Sequence, residues 1–313
     1  MNFLIKNKHH DNAGGGRHAF QVAELASSFY EVAFDDAYVD YALTGYNKVV
    51  FQPPFDTRPD VFMAVDHHCQ TPPEGTINIH FCFFPGYGQC HSDYDLVIAN
   101  SDYTKSYVER LWHKPCWVVN PYVYESQYAI GRKENLILCV GSYFLEADGH
   151  SKNQHLILEW FVKQALYKKY KLVMAGFAVN PSFFAELKRV AEKCPHVEVL
   201  ESVPHNQLKA LYSRARYLIS ATGFERTNPY QTEHFGYIAV EAMVSGCQPL
   251  VHNSGGCRDI QGVRVWDRFE ELEPLMVPTN PHALRKHGLE YTRGRSLKQF
   301  KEVVSAIRSL THV

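Results

Sequence analysis

A chain of 313 residues is too long for one small core and suits two domains of ordinary size or one large α/β unit. With 45% hydrophobic and 21% charged residues the composition is that of a soluble globular protein, and a formal net charge of -1 gives no general attraction to nucleic acid or to an anionic membrane. The eight cysteines form no C-x-x-C pair and several sit in apolar runs such as "NLILCVG" and "IHFCFF", which favours reduced, buried thiols in a cytoplasmic protein over a disulfide framework or a zinc knuckle.

The opening "MNFLIKNKHH" is too short an apolar run for a signal peptide, and nowhere do about 18 apolar residues follow one another. The expectation is a chain neither secreted by a cleaved signal nor membrane-spanning. Beyond it, short apolar runs alternate with longer segments of helical period, the sign of parallel sheets with crossover helices. Strands are predicted at "NFLIK", "KVVFQ", "VFMAV", "INIHFC", "LVIAN" and "CWVV", with a helix at "RHAFQVAELASSF". A second series predicts strands at "NLILCVG", "KLVMAG", "VEVLE", "YLISAT" and "PLVH", and helices at "QHLILEWFVKQALYKK", "PSFFAELKRVAEKC", "HNQLKALYSRA" and "GYIAVEAMVSG".

The polar, punctuated stretch "NPYVYESQYAIGRKEN" separates the two series and is the natural boundary. The expected fold class is α/β, with two Rossmann-like doubly wound domains at residues 1–122 and 123–290. A closing segment, 291–313, carries the helix "SLKQFKEVVSAIRSL", whose two faces suit packing on either domain, the amino-terminal one included. Ligands of such sheets bind at the carboxyl ends of the strands, so a cleft between the two domains is the expected working site.

Four stretches carry chemistry. In "DNAGGGRHAF", Gly14, Gly15 and Gly16 fall between the first strand and first helix, where backbone amides can approach a phosphate, a carboxylate or a sugar. The spacing is neither the dinucleotide fingerprint nor a Walker loop, and a tight turn without a ligand explains it equally well. In "VGSYFLEADGHSKNQHLILEWF", His150 and Lys152 precede a long helix, and a lysine at the mouth of a strand can pair with a leaving phosphate. A solvated lysine in a first helical turn is the plain alternative.

The third stretch, "QTEHFGYIAVEAMVSGC", sets Glu233 just before a helix and Glu241 about one and a half turns into it, with Gly236 freeing the backbone between them. The amides of Phe235, Gly236 and Tyr237 then point toward an anion, and the two carboxylates reach opposite ends of one elongated ligand. A carboxylate suits a vicinal diol of a sugar or a ribose, and burying it alone costs several kcal/mol, about the desolvation penalty of an ion. An ion pair with an arginine is the alternative partner for Glu241. The fourth stretch, "LVHNSGGCRDI", places Gly255 and Gly256 after a strand as a further backbone-donor loop.

Together these residues resemble the large retaining glycosyltransferase family numbered four, of GT-B fold. The E-x7-E motif, Glu233 to Glu241 in "EHFGYIAVEAMVSGCQPLVHNSGG", carries the resemblance, supported by "LKALYSRARYLISATGF" and "GHSKNQHLILEWF". In the first domain "GGGRHAFQVAEL", "INIHFCFFP" and "YDLVIANSDYTKSYVERLW" sit where such enzymes have similar segments. The wording of the carboxyl-terminal motif is especially similar to a branch that contains mannosyltransferases elongating lipid-linked glycans.

The resemblance implies a hexosyltransferase using a nucleotide-sugar donor, GDP-mannose or a UDP-sugar, and a glycan or lipid-linked glycan acceptor. It implies that Glu233 contacts the donor sugar, that Glu241 holds the ribose diol, and that Phe235, Gly236, Tyr237 and Ile238 line the sugar and diphosphate. Lys152 matches the diphosphate lysine, and Gly14, Gly15 and Gly16 match the loop over the phosphates. His80 matches a first-domain histidine near the sugar, with a buried strand histidine as the alternative. Ser142 departs from the pattern, because the family usually has arginine after the glycine of "VG"; His150 or Arg17 is the expected substitute.

No cofactor is implied, and "FDDA" and "SDYD" read as solvated loops rather than a metal site, so activity without divalent metal is expected. The expected place is the cytoplasm or the cytoplasmic face of a membrane, with peripheral association. Two alternatives stand: transfer to a modified base in DNA, which the near-neutral charge opposes, and a degenerate member that binds a nucleotide or glycan without catalysis, which Ser142 favours.

Overall fold

The computed structural model describes residues 1–7, 14–35, 58–65, 71–85, 93–145 and 151–311. The chain divides into two units, one of Met1–Tyr122 with Tyr291–Val313 and one of Val123–Glu290.

The first unit is built on β1 (Asn2–Asn7), α1 (Gly14–Ala26), β2 (Glu31–Asp35), β3 (Val61–Val65), β4 (Ile77–Cys82), β5 (Leu96–Ala99), α2 (Asp102–Trp112) and β6 (Cys116–Val118). Its strands form a parallel sheet in the order β2-β1-β3-β4-β5-β6. Parallel strands covered on both faces need apolar residues at every position, and "VFMAV" of β3 is buried throughout. Successive side chains leave a strand on opposite faces. On β4 this sends His80 to Trp112 of α2, stacked at 5.4 Å, and Phe81 to His18 of α1, edge-on at 4.7 Å. α2 starts on a Ser101 cap, whose hydroxyl accepts from Thr104 N, and stops at His113 in the left-handed region at φ 54.

The second unit runs β7 (Leu136–Val140), α3 (Gln154–Lys163), β8 (Lys171–Gly176), α4 (Pro181–Ala191), β9 (Val197–Glu201), α5 (His205–Arg214), β10 (Tyr217–Ser220), α6 (Tyr237–Val244), β11 (Gln248–His252), β12 (Arg264–Trp266), α7 (Leu272–Leu275) and α8 (Pro281–Gly288). The sheet is again parallel, in the order β12-β11-β10-β7-β8-β9. Ile137, Met174, Ile219, Leu250 and Phe161 meet in its core. Strand order turns outward in both directions from the β7/β10 pair, and that switch point is where a doubly wound sheet opens a crevice.

The last helix, α9 (Arg293–Leu310), belongs to the first unit. Arg293 Nε meets Glu24 Oε1 of α1 at 2.8 Å, Ser296 Oγ donates to Asn120 O at 2.8 Å, and Gln299 exchanges two hydrogen bonds with Asn120. Phe300 is fully buried beside Phe29. Among the described residues no helix is long and apolar enough to cross a membrane.

The architecture is the expected pair of doubly wound parallel sheets, with differences of detail. The predicted strand "KVVFQ" lies outside the described residues. β2, β12, α2, α7 and α8 add to the predicted set. The helix predicted through "QALYKK" ends at Lys163, because Ala165 takes a left-handed φ of 51 and a 3-10 turn follows at Leu166–Lys168.

Candidate functional site

The carboxyl ends of β7 and β10 lead directly into residues singled out from the sequence. β7 runs out at Val140 into Gly141 and Ser142. A Cβ at Gly141 would stand 3.0 Å from Lys152 Cγ, so the glycine leaves room for the lysine stem. The turn is held by Gln154, whose Nε2 donates to the carbonyls of Gly141 at 3.1 Å and Ser142 at 2.9 Å. Asn153, left-handed at φ 53, donates its side-chain amide to Ala221 O at 2.9 Å and so ties the start of α3 to the exit of β10.

Held this way, Lys152 Nζ lies 3.0 Å from Glu233 Oε2, and both side chains are 23% exposed. The pair is shielded enough for its charges to act strongly on a third group, and open enough for a ligand to reach it.

Glu233 lies between β10 and α6. Its backbone carbonyl accepts from Gly256 N at 2.8 Å. Gly255, at φ 66, runs so close that any Cβ there would collide with the same carbonyl. This corrects the expected donor loop: the Gly256 amide is directed at Glu233 and fixes the backbone from which that carboxylate reaches Lys152. Gly236 caps α6 at φ 105, where a side chain would collide with Cys257 Sγ. Burial, reinforced by the Glu233 carboxylate, holds the Cys257 thiol well above its ordinary pKa, so it is a protonated packing group. Phe235 is buried, and Tyr237 and Ile238 are half-buried in the first turn of α6.

Glu241 is 2% exposed. Its two oxygens accept separate phenols, Oε1 from Tyr128 Oη at 2.7 Å and Oε2 from Tyr212 Oη at 3.0 Å. Two tyrosines thus occupy the place considered for an arginine. Burial and the carboxylate push the Tyr212 phenol well above its usual pKa, which keeps it a donor. Arg285 of α8 secures the same corner by donating to the carbonyls of Tyr128 and Glu125, each at 3.0 Å, and to that of Val244.

In the first unit, Gly14, Gly15 and Gly16 form the first turn of α1 rather than a loop ahead of it. The preceding Asp11, Asn12 and Ala13 lie outside the described residues, as does His150. His80 is 1% exposed, between Trp112 and Tyr94 at ring distances of 5.4 and 5.1 Å. Of the two readings of His80 the structure has the buried strand histidine, since strand alternation turns residue 80 into the core beneath α2.

Sequence reasoning passed over Asn153, Gln154, Tyr128 and Tyr212. The first two carried a signal, polar residues directly behind Lys152 in "SKNQ". Tyr212 read only as the apolar face of α5, although a buried tyrosine generally needs a partner for its hydroxyl.

Residues 124–265 match the family model described as glycosyl transferases group 1. The human GDP-Man:Man(3)GlcNAc(2)-PP-Dol alpha-1,2-mannosyltransferase is 30% identical over 195 residues, which cover 54% of this chain and 36% of that protein. The match thus spans about a third of that relative's length. Among solved structures, AviGT4, a glycosyltransferase involved in avilamycin A biosynthesis, aligns with 99% of this chain and 98% of its own at a TM-score of 0.65 and 17% identity. Anabaena HepE in complex with UDP-glucose aligns with 98% of this chain and 100% of its own at a TM-score of 0.70 and 12% identity. The fold is that of GT-B glycosyltransferases.

Proposed function

We propose, from the match of residues 124–265 to the glycosyl transferases group 1 model, that the protein moves a sugar from a nucleotide diphosphate to a hydroxyl of a glycan or lipid-linked glycan, with retention at the anomeric carbon. The observation that carries the reading is the Lys152–Glu233 pair beyond the switch point of the second sheet. A cation there neutralises the departing diphosphate, and a carboxylate beside it holds donor-sugar hydroxyls near the reacting carbon. The bond between that carbon and the diphosphate oxygen breaks, with the electron pair leaving on the phosphate. The acceptor oxygen bonds to the carbon on the same face, and its proton passes to the departing phosphate. No protein base and no divalent metal are required; strict loss of turnover on chelation would overturn the second point.

Glu241 takes the ribose diol in this reading. A carboxylate oxygen accepts more than one hydrogen bond, and Tyr128 and Tyr212 orient the two oxygens of Glu241. The stretch from Phe235 to Ile238, which leads through the Gly236 cap into the start of α6, faces the sugar and diphosphate. Gly14, Gly15 and Gly16 supply backbone amides to the phosphates, and His150 or Arg17 supplies the charge that Ser142 lacks.

GDP-mannose and a lipid-linked glycan follow from the activity for which the human relative is named, and a UDP-sugar from the ligand of HepE. The reaction is placed in the cytoplasm, with peripheral association where the acceptor is lipid-linked. Thermal shifts with GDP, UDP and ADP, followed by turnover with their sugars, test the whole. The expected result is stabilisation by one nucleotide class, because a ligand that binds only the native state raises its stability, together with turnover that Glu233→Gln abolishes. Stabilisation without turnover on any acceptor would favour the non-catalytic binder, and no response to any nucleotide would remove the reading.

A further inference from the structure

At the opposite end of the strands of the second sheet, where β10 and β11 begin, lies a cavity of about 210 Å³ lined by Lys133, Arg216, Gly246, Gln248, Thr279 and two apolar neighbours. No lining residue is acidic. The backbone of Arg216 is fully used, its N–H donating to Leu136 O and its carbonyl accepting from Gln248 N. Its side chain is another matter. Nε is buried with no hydrogen-bond partner, and among the described residues nothing accepts from the guanidinium.

The surrounding cations are already committed. Lys133 Nζ donates to the carbonyls of Tyr212, Ser213 and Ser245 at 3.2, 2.8 and 2.6 Å, which uses its three protons. Arg264 donates to the carbonyls of Leu275 and Val277 and to Thr279 Oγ1. Thr279 in turn donates to Gln248 Oε1 at 2.9 Å. The corner therefore holds three basic groups, Lys133 with its pKa lowered by burial to about 8, and one guanidinium still presents donors to the cavity. A buried, unsatisfied N–H calls for a water or an ion. The absence of any carboxylate in the lining selects an anion, and a planar guanidinium fork matches an oxyanion's paired oxygens.

We propose that this cavity is a binding site for a small oxyanion of phosphate type, held chiefly by Arg216 and distinct from the Lys152–Glu233 site. β10 separates the two: Arg216 precedes its first residue, and the segment leading to Glu233 follows its last. An anion seated there joins the starts of β10 and β11 to the 279–281 segment and to the residues before β7.

Inorganic phosphate is the probe. Thermal unfolding of the full chain is followed in increasing phosphate against chloride of equal ionic strength, which separates binding from screening. Phosphate affinity is measured in parallel by calorimetric titration. The expected result is a saturable phosphate-specific rise in Tm for the wild type and for Lys152→Ala. Arg216→Gln loses it, with affinity at least about tenfold weaker, and Arg216→Lys, which keeps the charge but not the fork, retains part of it. Circular dichroism and Tm in chloride establish that the Arg216 variants are folded, and Arg216→Lys carries the test if the glutamine variant is not. The proposal is overturned if the wild type shows no phosphate-specific rise, if the Arg216 variants respond as the wild type does, or if Lys152→Ala rather than Arg216→Gln removes the response.

Discussion

Lys152 Nζ and Glu233 Oε2 stand 3.0 Å apart, joining the segment after β7 to the segment before α6. At 23% exposure on both sides the bridge itself contributes little stability, on the order of 1 kcal/mol or less. Lys152→Ala is therefore expected to leave the denaturation midpoint almost unchanged while lowering kcat by about 10² to 10³, the usual cost of removing one group that stabilises a developing negative charge. Steady-state kinetics beside urea unfolding checks both halves. A fall in stability matched by unchanged kcat would make the pair a structural tie alone.

The Tyr128–Glu241–Tyr212 arrangement behaves differently, because it is buried. Removing one phenol hydroxyl leaves a carboxylate oxygen short of a partner, and each of Tyr128→Phe and Tyr212→Phe should destabilise the fold by about 1–3 kcal/mol. The double variant should depart from additivity, since both phenols act on one carboxylate. Chemical denaturation of the two single variants and the double variant decides this.

Gly255→Ala tests whether Glu233 depends on the backbone beneath it. The residue sits at φ 66 against the Glu233 carbonyl, so a methyl group forces the loop outward and breaks the Gly256 N–Glu233 O bond. A stability loss of about 1–3 kcal/mol is expected from the strained conformation. A loss of turnover should accompany it that donor saturation does not restore; full activity at saturating donor would show the loop to be unnecessary for placing Glu233.

His18 gives the protein an acid limit. Full burial lowers its pKa from 6.5 to about 3, with the Val119 backbone acting in the opposite sense. The folded-state pKa lies below the unfolded one, so between pH 6.5 and 3 the unfolded chain binds the extra proton and stability falls as pH falls. From pH 7 to pH 5 this single group should remove about 2 kcal/mol. Urea midpoints at the two pH values should converge in His18→Phe relative to the wild type, the ring edge toward Phe81 being apolar already.

Much of this organisation was legible from local pattern. Apolar runs such as "VFMAV" and "NLILCVG" mark buried parallel strands, and glycines beside Lys152 and Glu233 mark places where backbone comes close. Tertiary decisions left no such trace. "EVAFD" is short and acid-flanked, yet forms the edge strand β2 because β1 offers it a partner. The helical period continues through "QALYKK", but Ala165 turns left-handed without a glycine to announce it. Alternation puts His80 and Phe81 on opposite faces of β4; only the packed helices decide which face receives the histidine. The partners of Glu241 come from 113 and 29 residues away, which no short window contains.

The placement of α9 also sets an order of assembly. The second unit, Val123–Glu290, is one unbroken stretch, whereas the first needs Tyr291–Val313 to complete it. The first sheet is synthesised before the second unit, but Asn120 and Glu24 await Gln299 and Arg293, which are made only after that unit. Domains tend to form as units while the chain emerges. The interior unit can therefore mature early, while the flanking one stays open to chaperones or proteases until its last helix docks.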